Sequence, residues 1–195
     1  MSSALNSRDK ILEVATDIFY KKGLAGARMQ EIADNAGINK AMLHYYFKTK
    51  EQLFNEVFEK AFRLFLSRIV EVLNSNKPLK DKVSDYVDHT IDSLMQNQGI
   101  SIFVIQELNT NPEKVTKLFA GKGNINFVVF ENQVNKESAG KVNAEMFFTD
   151  MVAMCIYPFI AQPMLKKIMK KNDTAYKTWL QERKEWIKNM LLSRV

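Results

Sequence analysis

Between Leu53 and Leu73 the apolar residues Leu53, Phe54, Val57, Phe58, Ala61, Phe62, Phe65, Ile69 and Leu73 recur at steps of one, three and four. That is the period of a helix with one buried face, sustained over about six turns, or roughly 30 Å. A helix of that length outruns a small compact unit, so this spacing predicts an element that leaves one unit and enters a second. Thr49-Lys50-Glu51-Gln52 has the form of a capping box and sets its start. Seven Gly and four Pro in 195 residues supply few turns, and alternating runs are too short for a sheet. The expected fold class is all-α.

Upstream, Ile11, Leu12, Ala15, Ile18 and Phe19 mark a first helix, with Asn6 or Ser7 to cap it and Gly23 to end it. A second helix runs from about Met29 to Asn35, with Ile32 and Ala33 inward. Ala36-Gly37-Ile38 makes a turn, and Asn39 caps a third helix through Phe47, with Leu43 and Phe47 spaced for burial. Two short helices joined by a Gly-containing turn form a helix-turn-helix. The tip of its second helix can meet base edges in the DNA major groove. Lys21, Lys22, Arg28, Lys40, Lys48 and Lys50 against Glu31 and Asp34 leave a net charge of +4 from residue 21 to residue 50, which favours the phosphate backbone. His44, Tyr45 and Tyr46 add donors for phosphates or bases.

The set Ile32-Ala33, Ala36-Gly37-Ile38-Asn39-Lys40, Leu43, Tyr46-Phe47, Lys50-Glu51 and Leu53 resembles the signature of TetR-family transcriptional regulators, over roughly residues 8 to 60. The resemblance implies a three-helix helix-turn-helix DNA-binding head, residues 1–50, and a connecting helix from about 49 to 73. It also implies a helical ligand-binding and dimerisation domain, residues 75–195. It places Asn39, Lys40, Ala41, Met42, His44, Tyr45, Tyr46 and Lys50 toward DNA. Ala27-Arg28 stands where the family usually has a capping Ser or Thr that touches phosphate; Arg28 can make that contact as a charge, with a weaker cap. The implied function is a ligand-responsive repressor that binds a palindromic operator on double-stranded DNA as a homodimer.

Past the break at 74–78, helices are expected over Val83–Leu94, Ile100–Leu108, Pro112–Phe119 and Ile125–Val134. Ala144 to about Met169 reads as a long helix bent or broken at Pro158 and Pro163, and Asp173 as the cap of a last helix to about Leu192. The resemblance makes these last two helices the dimer pair, with Trp179, Trp186, Met190 and Leu191 as packing anchors; burial within their own subunit is the alternative. Aromatic and Met side chains adapt to apolar ligands. Phe65, Phe103, Phe119, Phe127, Phe147, Met151 and Met154, with Gln106 as a polar group, are therefore candidates for an effector pocket, and core packing is the alternative for each.

Asp85 and His89 have i, i+4 spacing beside Asp88 and Asp92, but such an exposed face is ordinarily solvated, and no metal or cofactor is expected. Cys155 is single, which excludes an internal disulfide and suits a reducing cytoplasm. Neither a phosphate loop nor a Cys-His pair supports an enzyme. The N-terminus has no apolar signal region, and the apolar stretch 146–165 is interrupted too often to span a bilayer, so no membrane partner is expected. Lys166, Lys167, Lys170 and Lys171 can touch DNA or an anionic surface, or simply end a helix favourably against its dipole. The competing reading of the whole is a helical carrier of hydrophobic molecules without DNA function, which would have no need of Asn39, Lys40 and Lys50.

Overall fold

A computed structural model describes residues 2–97, 99–113, 116–117 and 126–195, with side chains for all of these except 2–6, 64, 65 and 68. Among the described residues all regular structure is helical: α1 Ser2–Gly26, α2 Met29–Ala36, α3 Lys40–Tyr46, α4 Lys50–Asn74, α5 Leu79–Gln96, α6 Ile100–Thr110, α7 Phe127–Glu137, α8 Ala144–Ile160, α9 Gln162–Ile168 and α10 Asp173–Leu192. Of the expected helix over Pro112–Phe119, residues 114, 115, 118 and 119 lie outside these residues.

Two compact units emerge, Met1–Leu64 with Ile102–Pro112, and Phe65–Ser101 with Glu113–Val195. The long helix α4 contributes to both, as its length requires. So does α6, which the sequence reading assigned wholly to the second domain.

In the first unit α1 is interrupted at Gly23, whose φ of 63° and ψ of −175° belong to a region open essentially to glycine alone. Ile11, Ala15, Ile32, Ala33, Leu43, Phe47, Leu53 and Phe58 have no exposed surface. Phe103 of α6 meets three rings here, with centroid distances of 5.0 Å to Tyr20, 5.2 Å to Phe54 and 5.6 Å to Phe58. Such pairs add about 0.5–1.5 kcal/mol each beyond burial.

In the second unit α5 packs on α7, α8 and α10 through Leu79, Val83, Tyr86, Val87, Ile91 and Leu94. Phe130 is fully buried and gathers Phe127, Phe147 and Phe148 at 6.0–6.2 Å. Lys82 is also fully buried; its ammonium donates to the Leu73 carbonyl at 2.8 Å and so ends α4.

The two prolines act differently. Pro163, in the first turn of α9, has no N–H for the Phe159 carbonyl, and the long helix breaks at Ala161 with a 76° bend between α8 and α9. Pro158 stays inside α8 and deprives the Met154 carbonyl of its helical donor. Arg183 of α10 replaces it, donating through Nε and Nη2 at 3.4 Å each, and the Tyr176 hydroxyl donates to the Pro158 carbonyl at 2.8 Å. Asn172, rather than Asp173, caps α10, accepting from the Ala175 N–H at 2.8 Å. Asn172, one place earlier, has the extended backbone that a cap needs.

The face at Asp85–Asp92 is an ion-pair surface. Lys184 lies 2.5 Å from Asp92 and Lys188 2.7 Å from Asp88, while Lys77 holds Asp85 at 2.5 Å. His89 meets the Ser93 hydroxyl at 3.3 Å. No cluster of metal-ligating residues occurs among those described. Likewise, no single described helix is long and apolar enough to cross a membrane.

Cys155 is fully buried, and burial pushes its thiol from 9.0 up to about 12. Burial, then Cys155, also raises the hydroxyl of Tyr86. Between pH 9.0 and about 12 the unfolded thiol releases a proton that the folded one keeps. The stabilisation is therefore full below pH 9.0 and lost as pH rises, by about 1.4 kcal/mol per pH unit for each such group. Denaturant unfolding on either side of pH 9.0 should show that loss, and Cys155→Ala should shallow it by one proton's slope.

Candidate nucleic-acid interface

The turn between α2 and α3 is built by Gly37, at φ 68° and ψ 34°. The N–H of Gly37 donates to the Asp34 carbonyl at 3.1 Å and that of Ile38 to the Ala33 carbonyl at 3.0 Å. This is a Schellman closure, which places a left-handed residue where glycine costs least. The ammonium of Lys10 lies 3.6 Å from where a side chain on Gly37 would begin, so α1 brings a positive charge to the turn.

Asn39 then starts α3, its Oδ1 accepting from the Met42 N–H at 2.7 Å. Leu43 and Phe47 are fully buried and pin the helix to its scaffold. Asn39, Lys40, Ala41 and Tyr45 are exposed, and Met42, His44 and Tyr46 half-buried. Tyr45 is 74% exposed, the largest value for any aromatic side chain in the first unit among those described. It stands edge-on to Tyr46 at 5.3 Å, and the Lys48 ammonium lies 6.0 Å from its ring centre. A small residue, Ala41, sits one turn before Tyr45 and lets backbone approach a groove.

The supports of this face consume some groups expected to meet DNA. The His44 Nδ1 pairs with the Lys48 carbonyl at 3.3 Å. The Lys50 ammonium donates to the carbonyl of buried Ala27 at 3.2 Å, tying the start of α4 to the corner before α2. The capping box is shifted: Thr49 Oγ1 accepts from the Gln52 N–H at 3.1 Å, but Gln52 Oε1 accepts from Lys48 at 3.0 Å. Arg28 occupies the cap of α2 in extended conformation without a side-chain cap bond, which leaves its exposed guanidinium available. Lys22 is paired with Glu31 at 2.6 Å. Lys10 and Lys48, which lie beside the turn and beside Tyr45, were not among the residues expected to face DNA; the +4 count included Lys48 as charge without a position, and Lys10 precedes the motif residues.

A family profile described as bacterial regulatory proteins, tetR family, matches residues 11–57, which span the whole of this turn, both its helices and the start of α4. Residues 11–57 carry the TetR-family DNA-binding domain. The protein is 22% identical, over 95% of its length and 94% of the relative's, to YttP of Bacillus subtilis (strain 168), named as a probable HTH-type transcriptional regulator. It is 31% identical to the biofilm operon icaADBC HTH-type negative transcriptional regulator IcaR of Staphylococcus aureus (strain Newman), over 51% of this chain and 48% of that one. In fold it matches AibR, solved in complex with isovaleryl coenzyme A and operator DNA, with a TM-score of 0.72 and 18% identity, over 94% of this chain and 97% of that one. The chain is a helix-turn-helix transcriptional regulator of this type.

The other candidate residues divide. Phe127 and Phe147 converge on Phe130, Met151 is fully buried and Met154 half-buried. Phe103 belongs to the aromatic cluster of the first unit, and Gln106 is exposed there. Phe119 and the side chain of Phe65 lie outside the described residues. On α10 Trp186 is 50% and Met190 40% exposed, whereas Leu191 is fully buried. Leu191 closes the core of its own subunit and is withdrawn from the dimer set. Trp179 and Trp186 flank Arg183, at 5.4 and 5.2 Å.

Proposed function

We propose that this regulator is a homodimeric repressor that lays α3 in the major groove of each half of a palindromic operator, and that a small apolar effector in the second unit releases it. The observation that carries the reading is the exposed tip of α3: Asn39 spent on capping, with Lys40, Ala41 and Tyr45 outward on a helix held by buried Leu43 and Phe47, and Lys48 exposed just past its end. A helical carrier has no use for such a surface.

Dimerisation is supported by apolar side chains left exposed along α8 and α10, namely Met146, Tyr157, Ile160, Trp186 and Met190. Two-fold pairing there would match the symmetry of a helix-turn-helix dimer on DNA. Acyl thioesters of coenzyme A are the first effector class to try, since a neighbour of the same fold was solved with isovaleryl coenzyme A. Helices α4 and α6 each have residues in both units, which makes them the elements able to carry a discrete shift from effector to head.

Selection of random duplex DNA by the purified protein should enrich a two-fold palindrome. Lys40→Ala and Lys48→Ala should each weaken binding and, with one lysine lost from each of two subunits, lower the slope of log affinity against log salt by about 1.8; Lys40→Ala should also blur the selected sequence. Binding with no enriched motif, or slopes unchanged in both variants, would remove this face from the interface.

A further inference from the structure

Helix α9 and its closing turn find no role in DNA binding or in the apolar core. No residue of α9 is buried. Met164 and Ile168, one turn apart on one face, are 49% and 68% exposed, and Met169 follows at 37%. Residues 162–172 contain four lysines, Lys166, Lys167, Lys170 and Lys171, and no carboxylate. Lys166 is held by Asp173, which leaves Lys167, Lys170 and Lys171 around the apolar ridge.

The helix ends in a Schellman closure, with Lys171 N–H on the Lys166 carbonyl at 2.9 Å and Lys170 N–H on the Lys167 carbonyl at 3.3 Å. Lys170 sits at its left-handed position, φ 53°, where glycine would be relaxed and a side chain is strained. The chain keeps a cation at the one place in this turn where stability alone would select glycine.

We infer that α9 and its closing turn dock on an anionic lipid surface, with Met164 and Ile168 at headgroup level and the lysines on lipid phosphates. An exposed apolar ridge bordered by cations is the signature of an interfacial helix, and each lysine near such a surface strengthens binding about five-fold. Nucleic acid would engage the lysines but give nothing to Met164 and Ile168. A two-fold contact centred on α9 would set four lysines against four.

The full chain should float with vesicles of phosphatidylcholine in which a third of the lipid is phosphatidylglycerol, and not with phosphatidylcholine alone. Lys170→Gly should lower that partition about five-fold while raising the melting temperature, a combination that a merely structural lysine cannot give. Ile168→Asp should lower partition with operator binding unchanged, and Lys40→Ala should leave partition unchanged. No flotation, or flotation abolished only by Lys40→Ala, would overturn the inference. So would loss of duplex binding in Lys170→Gly, which would give these lysines to DNA, or a halved molar mass in Ile168→Asp, which would give the ridge to a second copy.

Discussion

Phe47→Ala should cost the head about 3–5 kcal/mol and abolish operator binding. The ring is fully buried at the exact end of α3, where its N–H donates to the Leu43 carbonyl at 2.9 Å. The guanidinium of Arg8 lies 5.4 Å from the ring centre and is itself paired with Glu56 on α4. One side chain thus joins α1, α3 and α4. Domains of this size hold only about 5–15 kcal/mol in total, so the truncated head should be substantially unfolded. Thermal melting followed by circular dichroism, run beside a DNA titration, checks this. Phe47→Leu should keep most of the packing and most of the binding. A normal melt with lost binding in Phe47→Ala would place the ring at the DNA rather than in the core.

Lys82→Ala should destabilise the second unit by about 3 kcal/mol, combining lost packing with an unmade buried hydrogen bond. The side chain has no exposed surface, and the Leu73 carbonyl that it serves lies in the last turn of α4. Lys82→Met keeps the volume and isolates the polar part, about 1–3 kcal/mol. Desolvation holds the Lys82 ammonium below the usual 10.5. Between that lowered value and 10.5 the unfolded chain binds the extra proton, so this group's contribution rises with pH and is lost as pH falls through the folded value. Chemical unfolding of wild type and both variants across the alkaline range measures the two effects, and equal stability of all three would show that the carbonyl is satisfied without Lys82.

The head was legible because its signals are local. Gly37 needs a left-handed turn, Asn39 needs the N–H of Met42, and Leu43 and Phe47 need one buried face; each is readable within a few residues. What the sequence hid depends on partners far along the chain. Lys50 reads as a free cation until Ala27 lies beneath it. Asp85, Asp88 and Asp92 read as a solvated or ligating face until Lys77, Lys184 and Lys188 are opposite. Leu191 and Trp186 look alike on a helical wheel, yet one is fully buried and the other half exposed, because only the packing of α10 on α5 and α8 decides which side is inward. Pro158 reads as a bend or a break, yet α8 runs through it, since Arg183 supplies the donor that it removes from the Met154 carbonyl.

The place of Phe103 among Tyr20, Phe54 and Phe58 bears on how such regulators can be recombined. A chimera cut cleanly after Leu64 would carry the recognition helix intact but leave behind the ring that fills its host's aromatic cluster. Transplanting this DNA specificity onto another sensor therefore requires either grafting residues 102–112 along with the N-terminal segment or choosing a recipient whose own sixth helix offers an aromatic at the matching site. Modularity in this chain follows the packing of rings and not the order of residues.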